Sequence, residues 1–192
     1  KFGEMIALNE KILEKASEVV RPGMEVGDVG EACSDVLEKS GEKFSIIKGL
    51  SGHALGKNVI HAGLTIPNYR NDNFQTLNAL VFAVEPFVTS GVGDIFEGKG
   101  GGIYALKNEG RVRDPLARKI LDFVREKFET RPFCARWLEK AGFEKFGFAL
   151  RTLVNAGVFY EYPILIEKTR KPVSQAENTF VIFGDEVICT TG

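Results

Sequence analysis

Apolar residues in "KFGEMIALNEKILEKASEVV" recur at helical spacing, with Phe2, Met5, Ile6, Ile12, Leu13, Ala16, Val19 and Val20 on one face. The pattern predicts a helix that is already in phase at its first residues, with no N-cap residue ahead of it. A chain that opens on Lys in mid-helix is expected to be a fragment or a processed product. "RPG" at 21–23 stops this helix, and Asp28 with Glu31 three residues later predicts a capping box opening a second one, whose inner face carries Val29, Ala32, Cys33, Val36 and Leu37. "FSIIK" predicts a strand, and Gly63 and Pro67 in "HAGLTIPNY" indicate irregular backbone. "ALVFAVEPFVTS" predicts the strongest strand and "GGIYAL" a shorter one.

From Asp114 to Val158 the period changes. Asp114 and Pro115 form an N-cap and N1 pair, followed by Leu116, Ile120, Phe123, Val124 and Phe128 on one face. "PFCARWLEKAG" and "EKFGFALRTLVNAG" predict two further helices, the last ended by Gly157. Strand composition returns in "YEYPILIEK", "PVSQAENTFVIF" and "DEVICTT", with Gly184 to Glu186 as a hairpin turn. Helices and strands segregate instead of alternating, so the fold class is α+β, with a helical insert between strands.

Composition narrows the partners. At 192 residues, 44% hydrophobic and 27% charged, the chain has enough apolar material for one core and a small insert. A net charge of -1 supplies no global attraction to nucleic acid or membrane. Residues 109–171 hold 14 Lys or Arg against 9 Asp or Glu, an excess of +5 that permits a nucleic-acid contact. An excess of that size more often marks a solvated face, so nucleic acid is not expected. The longest apolar runs are too short to span a bilayer, and no secretory h-region is seen at the start of the sequence, so the reading is cytoplasmic with no membrane partner. Cys33, Cys134 and Cys189 are odd in number and widely spaced, which suits free thiols. Cys134, Trp137 and the Phe-rich helices read as core.

Two carboxylates sit where apolar residues belong. Alternation in "ALVFAVEPFVTS" puts Glu85 on a face with Val81, Ala83 and Phe87, and the same logic applies to Glu177 in "PVSQAENTFVIF". A buried carboxylate needs a cation, an Arg or a metal beside it. Both histidines of the chain, His53 and His61, lie in the glycine-rich "GLSGHALGKNVIH". One imidazole and two carboxylates suit a hard to borderline metal. A strand-edge glutamate and a hydrogen-bonding loop histidine satisfy the same pattern, so both readings stay open. "GVGDIFEGKGGG" lacks the order of a phosphate loop and a helix start after it.

The stretches "GLSGHALGKNVIHAGLTIPNY", "VFAVEPFVTSGVG", "FALRTLVNAGVFYEYPILIE" and "SQAENTFVI", in this order and over essentially the whole chain, resemble the C-terminal half of type 2 methionine aminopeptidases of the archaeal kind. The resemblance implies half of a "pita-bread" α+β fold over residues 1–108 and 159–192, with a helical, winged-helix-like insert over 109–158. It implies a dinuclear centre of two divalent ions (Co, Mn, Fe or Zn) with His53, Glu85 and bridging Glu177 as ligands. His61 would contact the scissile peptide as the catalytic and substrate-binding histidine, and Ile60, Phe87, Tyr162 and Leu165 would line the pocket for methionine. The implied activity is metal-dependent removal of methionine from nascent polypeptide N-termini.

Two further ligands of that family, a pair of aspartates from its first half, have no counterpart here: Asp28, Asp35, Asp72, Asp94, Asp114, Asp122 and Asp185 are read as lying in helix starts, turns or loops. Asn178 stands where the family usually has His. The fragment alone is therefore expected to be inactive. The alternatives are a non-catalytic relative that binds protein or RNA, and a prolidase-type or creatinase-type member, against which the helical insert argues.

Overall fold

A computed structural model describes residues 2–191. In chain order the elements are α1 (Gly3–Glu18), α2 (Val26–Lys39), β1 (Ser45–Ile46), β2 (Gly52–Leu55), β3 (Thr65–Ile66), β4 (Val81–Val84), β5 (Phe87–Thr89), β6 (Ile95–Leu106), α3 (Pro115–Lys127), β7 (Phe133–Cys134), α4 (Ala135–Lys140), α5 (Gly147–Asn155), β8 (Phe159–Glu167), β9 (Val173–Gln175), β10 (Asn178–Phe183) and β11 (Glu186–Cys189). They divide into two compact units. The first runs to Gly56, resumes over His61–Phe96 and closes from Leu165 on; the second holds Lys57–Ile60 and Glu97–Ile164.

The first unit carries the site. Its five-stranded antiparallel sheet has the order β11-β10-β4-β2-β3. Alternation along each strand sorts the side chains to two faces. Phe82, Val84, Phe180 and Ile182 point to one face and share a core with Met5, Ile12 and Ala16 of α1 and Val29 and Cys33 of α2. The rings of Phe82 and Phe180, paired across β4 and β10, stack 5.6 Å apart. Full burial of such side chains stabilises the fold by about 1.5–3 kcal/mol each. The other face carries His53 and, in register across four strands, Leu55, Val81, Val181 and Ile188. A second, three-stranded sheet has the order β1-β5-β9.

Three expectations change here. The strand expected over 79–90 is two strands in two different sheets, because Glu85 and Pro86 interrupt it and a proline has no N–H for the ladder. The cap of α2 is built from Glu25 and Asp28, three residues earlier than Asp28 and Glu31, so the helix starts at Val26. The short strand expected at "GGIYAL" is the end of the twelve-residue β6, whose glycines and charges hide its alternation.

In the second unit α3, α4 and α5 enclose a core of Ile120, Val124, Leu138, Leu150 and Leu153 with Tyr104, Phe133 and Phe159, which come from a sheet of order β7-β6-β8. Asp114 caps α3 by accepting the Ala117 N–H at 2.6 Å. The three helices lie within the span 109–158, while the compact unit around them also takes in β6 from Glu97 and β8 as far as Ile164. No described helix is long and apolar enough to cross a membrane.

Candidate functional site

His53 lies on β2, opposite Ala83 of β4, and Glu85 follows Ala83 on the same face two residues on. The neighbouring Gly52 has a specific reason to be glycine: a Cβ there would collide with the carbonyl oxygen of Ala83, so any side chain would push β2 away from β4. Glycines in such a stretch ordinarily supply sharp turns. Gly52 instead permits a close approach, and the left-handed residue of the stretch is Asn58, at φ 58°.

The imidazole of His53 is largely buried. Its Nδ1 is 3.4 Å from the Ala54 carbonyl oxygen and its Nε2 is 3.9 Å from Glu85 Oε2. A proton on Nδ1, shared with Ala54, leaves the Nε2 lone pair facing the carboxylate side of the site. The Ala62 N–H donates to the Ala54 carbonyl at 2.8 Å and so returns the chain alongside β2. This brings the exposed His61 edge-on to His53, with ring centroids 4.3 Å apart. Partial desolvation of its inner edge, reinforced by His53, holds the His61 imidazole below its ordinary value.

Glu177 immediately precedes β10, whose Asn178 pairs with Val84, so the two carboxylates reach the same end of the β4–β10 pair. The Gln175 amide donates to Glu85 Oε1 at 2.6 Å and lies 3.4 Å from Glu177 Oε2. Burial, together with the charge of Glu177, pushes the Glu85 carboxyl up to about 7, against the opposing hydrogen bond from Gln175. Glu177 itself is exposed, contrary to the expectation that alternation would bury it: β10 begins only after it, and "SQAE" precedes the regular part of the strand.

Three residues that frame this cluster gave no signal in the sequence. Gln175 is one. The others are the fully buried Asn68 and Asn9, whose amides donate to the backbone carbonyls of Glu85, at 2.7 Å, and of Pro86, at 3.1 Å. Phe87, half-buried on β5, and Leu165, exposed on β8, belong to the same unit as the histidines; Ile60, exposed, and Tyr162, half-buried against Tyr160, belong to the second. Of the seven aspartates, Asp35 and Asp122 lie inside helices and not at their starts; Asp35 pairs with Arg70 at 2.7 Å.

The chemistry of the donors suits a divalent ion: one imidazole with a free Nε2 and two carboxylates, one of them raised to about 7 by burial and by the charge of the other. Their number suits one ion better than two. Among the described residues no group of three or more His, Cys, Asp or Glu side chains is drawn together closely enough to hold a metal by itself.

The sequence profile of metallopeptidase family M24 matches residues 2–168. The chain is 38% identical over 191 residues to the methionine aminopeptidase of Pyrococcus abyssi, covering 98% of this chain and 64% of that protein. It is 38% identical over 189 residues to that of Archaeoglobus fulgidus, with 98% and 63% covered. The chain thus spans somewhat under two thirds of the length of these relatives. Among solved structures, a thermophilic Arx1 superposes with a TM-score of 0.70 at 19% identity, over 96% of this chain and 55% of that one. The methionine aminopeptidase of Rickettsia prowazekii superposes with a TM-score of 0.58 at 20% identity, over 99% and 52%. These two likenesses establish the pita-bread fold.

Proposed function

Because the chain belongs to metallopeptidase family M24, we propose that the protein containing it removes N-terminal methionine from nascent polypeptides in the cytoplasm. The observation that carries this reading is the pairing of His53 with Glu85, beside Glu177, in a chain with 38% identity to methionine aminopeptidases along nearly its whole length. His53 through Nε2 and the two carboxylates would hold their share of divalent ions such as Co, Mn, Fe or Zn; when bound, such ions acidify water and polarise a peptide carbonyl. The Glu85 carboxylate would also take a proton from the attacking water and pass it to the leaving amine. His61, neutral at pH 7, donates a hydrogen bond to the peptide as negative charge builds on its oxygen. Phe87 and Leu165 offer apolar surface to the methionine side chain.

Release of methionine from a Met-Ala-Ser peptide, measured with and without chelator beside an X-Pro peptide, tests this. Chelator-sensitive release from the first peptide alone is expected. No release with any divalent metal would remove the reading. A second reading, a relative that keeps the fold for binding only, takes its support from Asn178, which stands where the resemblance leads one to expect histidine and whose amide is 3.3 Å from Ser17 Oγ. The same assay separates the two.

A further inference from the structure

We infer that Asn68 and Asn9 are positioning residues which clamp the Glu85–Pro86 segment and thereby aim the Glu85 carboxylate at His53. The inference rests on the reading of Glu85 and His53 as one functional pair. The chain leaves the five-stranded sheet at Val84 and enters the three-stranded sheet at Phe87, so the carbonyls of Glu85 and Pro86 fall between two ladders. Asn68 Nδ2 donates to the first at 2.7 Å; Asn9 Nδ2, at 3.1 Å, and the Ala176 N–H, at 3.3 Å, donate to the second. The carbonyl oxygens of Glu85 and Pro86 only accept, so the NH2 ends of the asparagines face them, and Asn9 Nδ2 also lies 3.5 Å from Ser174 Oγ.

Both side chains are fully buried, and the Oδ1 atom of each has no hydrogen-bond partner among the described residues. Packing alone does not account for this, since an apolar residue of the same volume would fill either position without stranding a buried oxygen. What the asparagines add is a donor at each interrupted carbonyl. Asn68 also ties the two halves of the pair together. It lies two residues beyond the end of β3, and β3 pairs with β2 through Thr65 opposite His53. The strand beside His53 therefore holds the backbone that carries Glu85.

Asn68→Asp keeps the shape and removes the donor. In the full-length protein it should weaken Mn(II) binding by about 10–100-fold, the usual cost of losing a group that orients a metal ligand. Ile66→Val, a core change two residues away, should match its loss of melting temperature without that loss of affinity. Equal Mn(II) affinity in the two variants at equal melting temperature would overturn the inference. If the wild type itself takes no Mn(II), the functional reading fails, and metal-free crystal structures then decide the inference. A Glu85 carboxylate swung away from His53 in Asn68→Asp supports it; an unmoved one overturns it. Should Asn68→Asp not fold, Asn9→Ser gives the same comparison at Pro86.

Discussion

The two histidines touch ring to ring, yet only His53 has a nitrogen turned to a carboxylate, and their roles separate on that difference. In a chain of the relatives' length, His53→Ala should lose metal, whereas His61→Ala should keep it and turn over about 10²-fold more slowly, as expected for a donor to the transition state. Metal analysis beside turnover checks this, and equal loss of metal in both variants would contradict it. Glu85 gives a pH prediction. Its carboxyl in the fold sits at about 7 against an ordinary 4.5, so the fold favours the protonated form. That contribution to the stability of the metal-free protein is complete below pH 4.5 and is lost as the pH rises through 7. The urea midpoint of chelated protein should therefore fall between about pH 5 and about pH 8, and Glu85→Gln should flatten the fall. Alternation revealed Glu85 as a misplaced charge because β4 is regular up to it. It misled for Glu177, which lies ahead of its strand, and it was silent on Asn9 and Asn68, whose polarity looks ordinary until their burial is seen.

At the scale of elements, the helices were legible because each buries one stripe against a single core, leaving the 3.6-residue period intact in the sequence. The strands were legible in composition and not in pairing: nothing local says that Val84 and Phe87 join different sheets, since sheet partners lie far along the chain. The β10–β11 hairpin is the exception, because Gly184, at φ 60°, and Asp185 make its turn from adjacent residues. Gly52→Ala tests how tightly the β2–β4 pairing governs the site. The added Cβ must displace backbone, not a flexible side chain, so β2 moves and carries His53 from Glu85. Lower melting temperature together with reduced metal affinity is expected; unchanged affinity would show that the pair tolerates strand separation. Asp114→Ala is the contrasting case: it should cost about 1 kcal/mol of stability through the lost cap of α3, seen by chemical denaturation, with metal affinity unaltered.

The whole chain offers His53, Glu85 and Glu177 as donors on one face of its sheet, and beside them an apolar row. Leu55, Val81, Val181 and Ile188 follow one another across β2, β4, β10 and β11, with Ile188 51% exposed and Phe183 beyond them 76% exposed. The opposite face of the same sheet is packed by two helices, and these 192 residues span 64% of the length of the Pyrococcus abyssi relative. Two dications need more anionic oxygen than two glutamates supply, and an ion with few protein ligands keeps most of its water and binds weakly. The 192 residues alone should therefore bind Mn(II) or Co(II) weakly and release no methionine, while a chain extended to the relatives' length should do both. Isothermal titration of the two proteins side by side, with peptide hydrolysis on the same samples, measures the difference. Tight uptake of two ions by the 192 residues alone would mean that the donors are other than His53, Glu85 and Glu177.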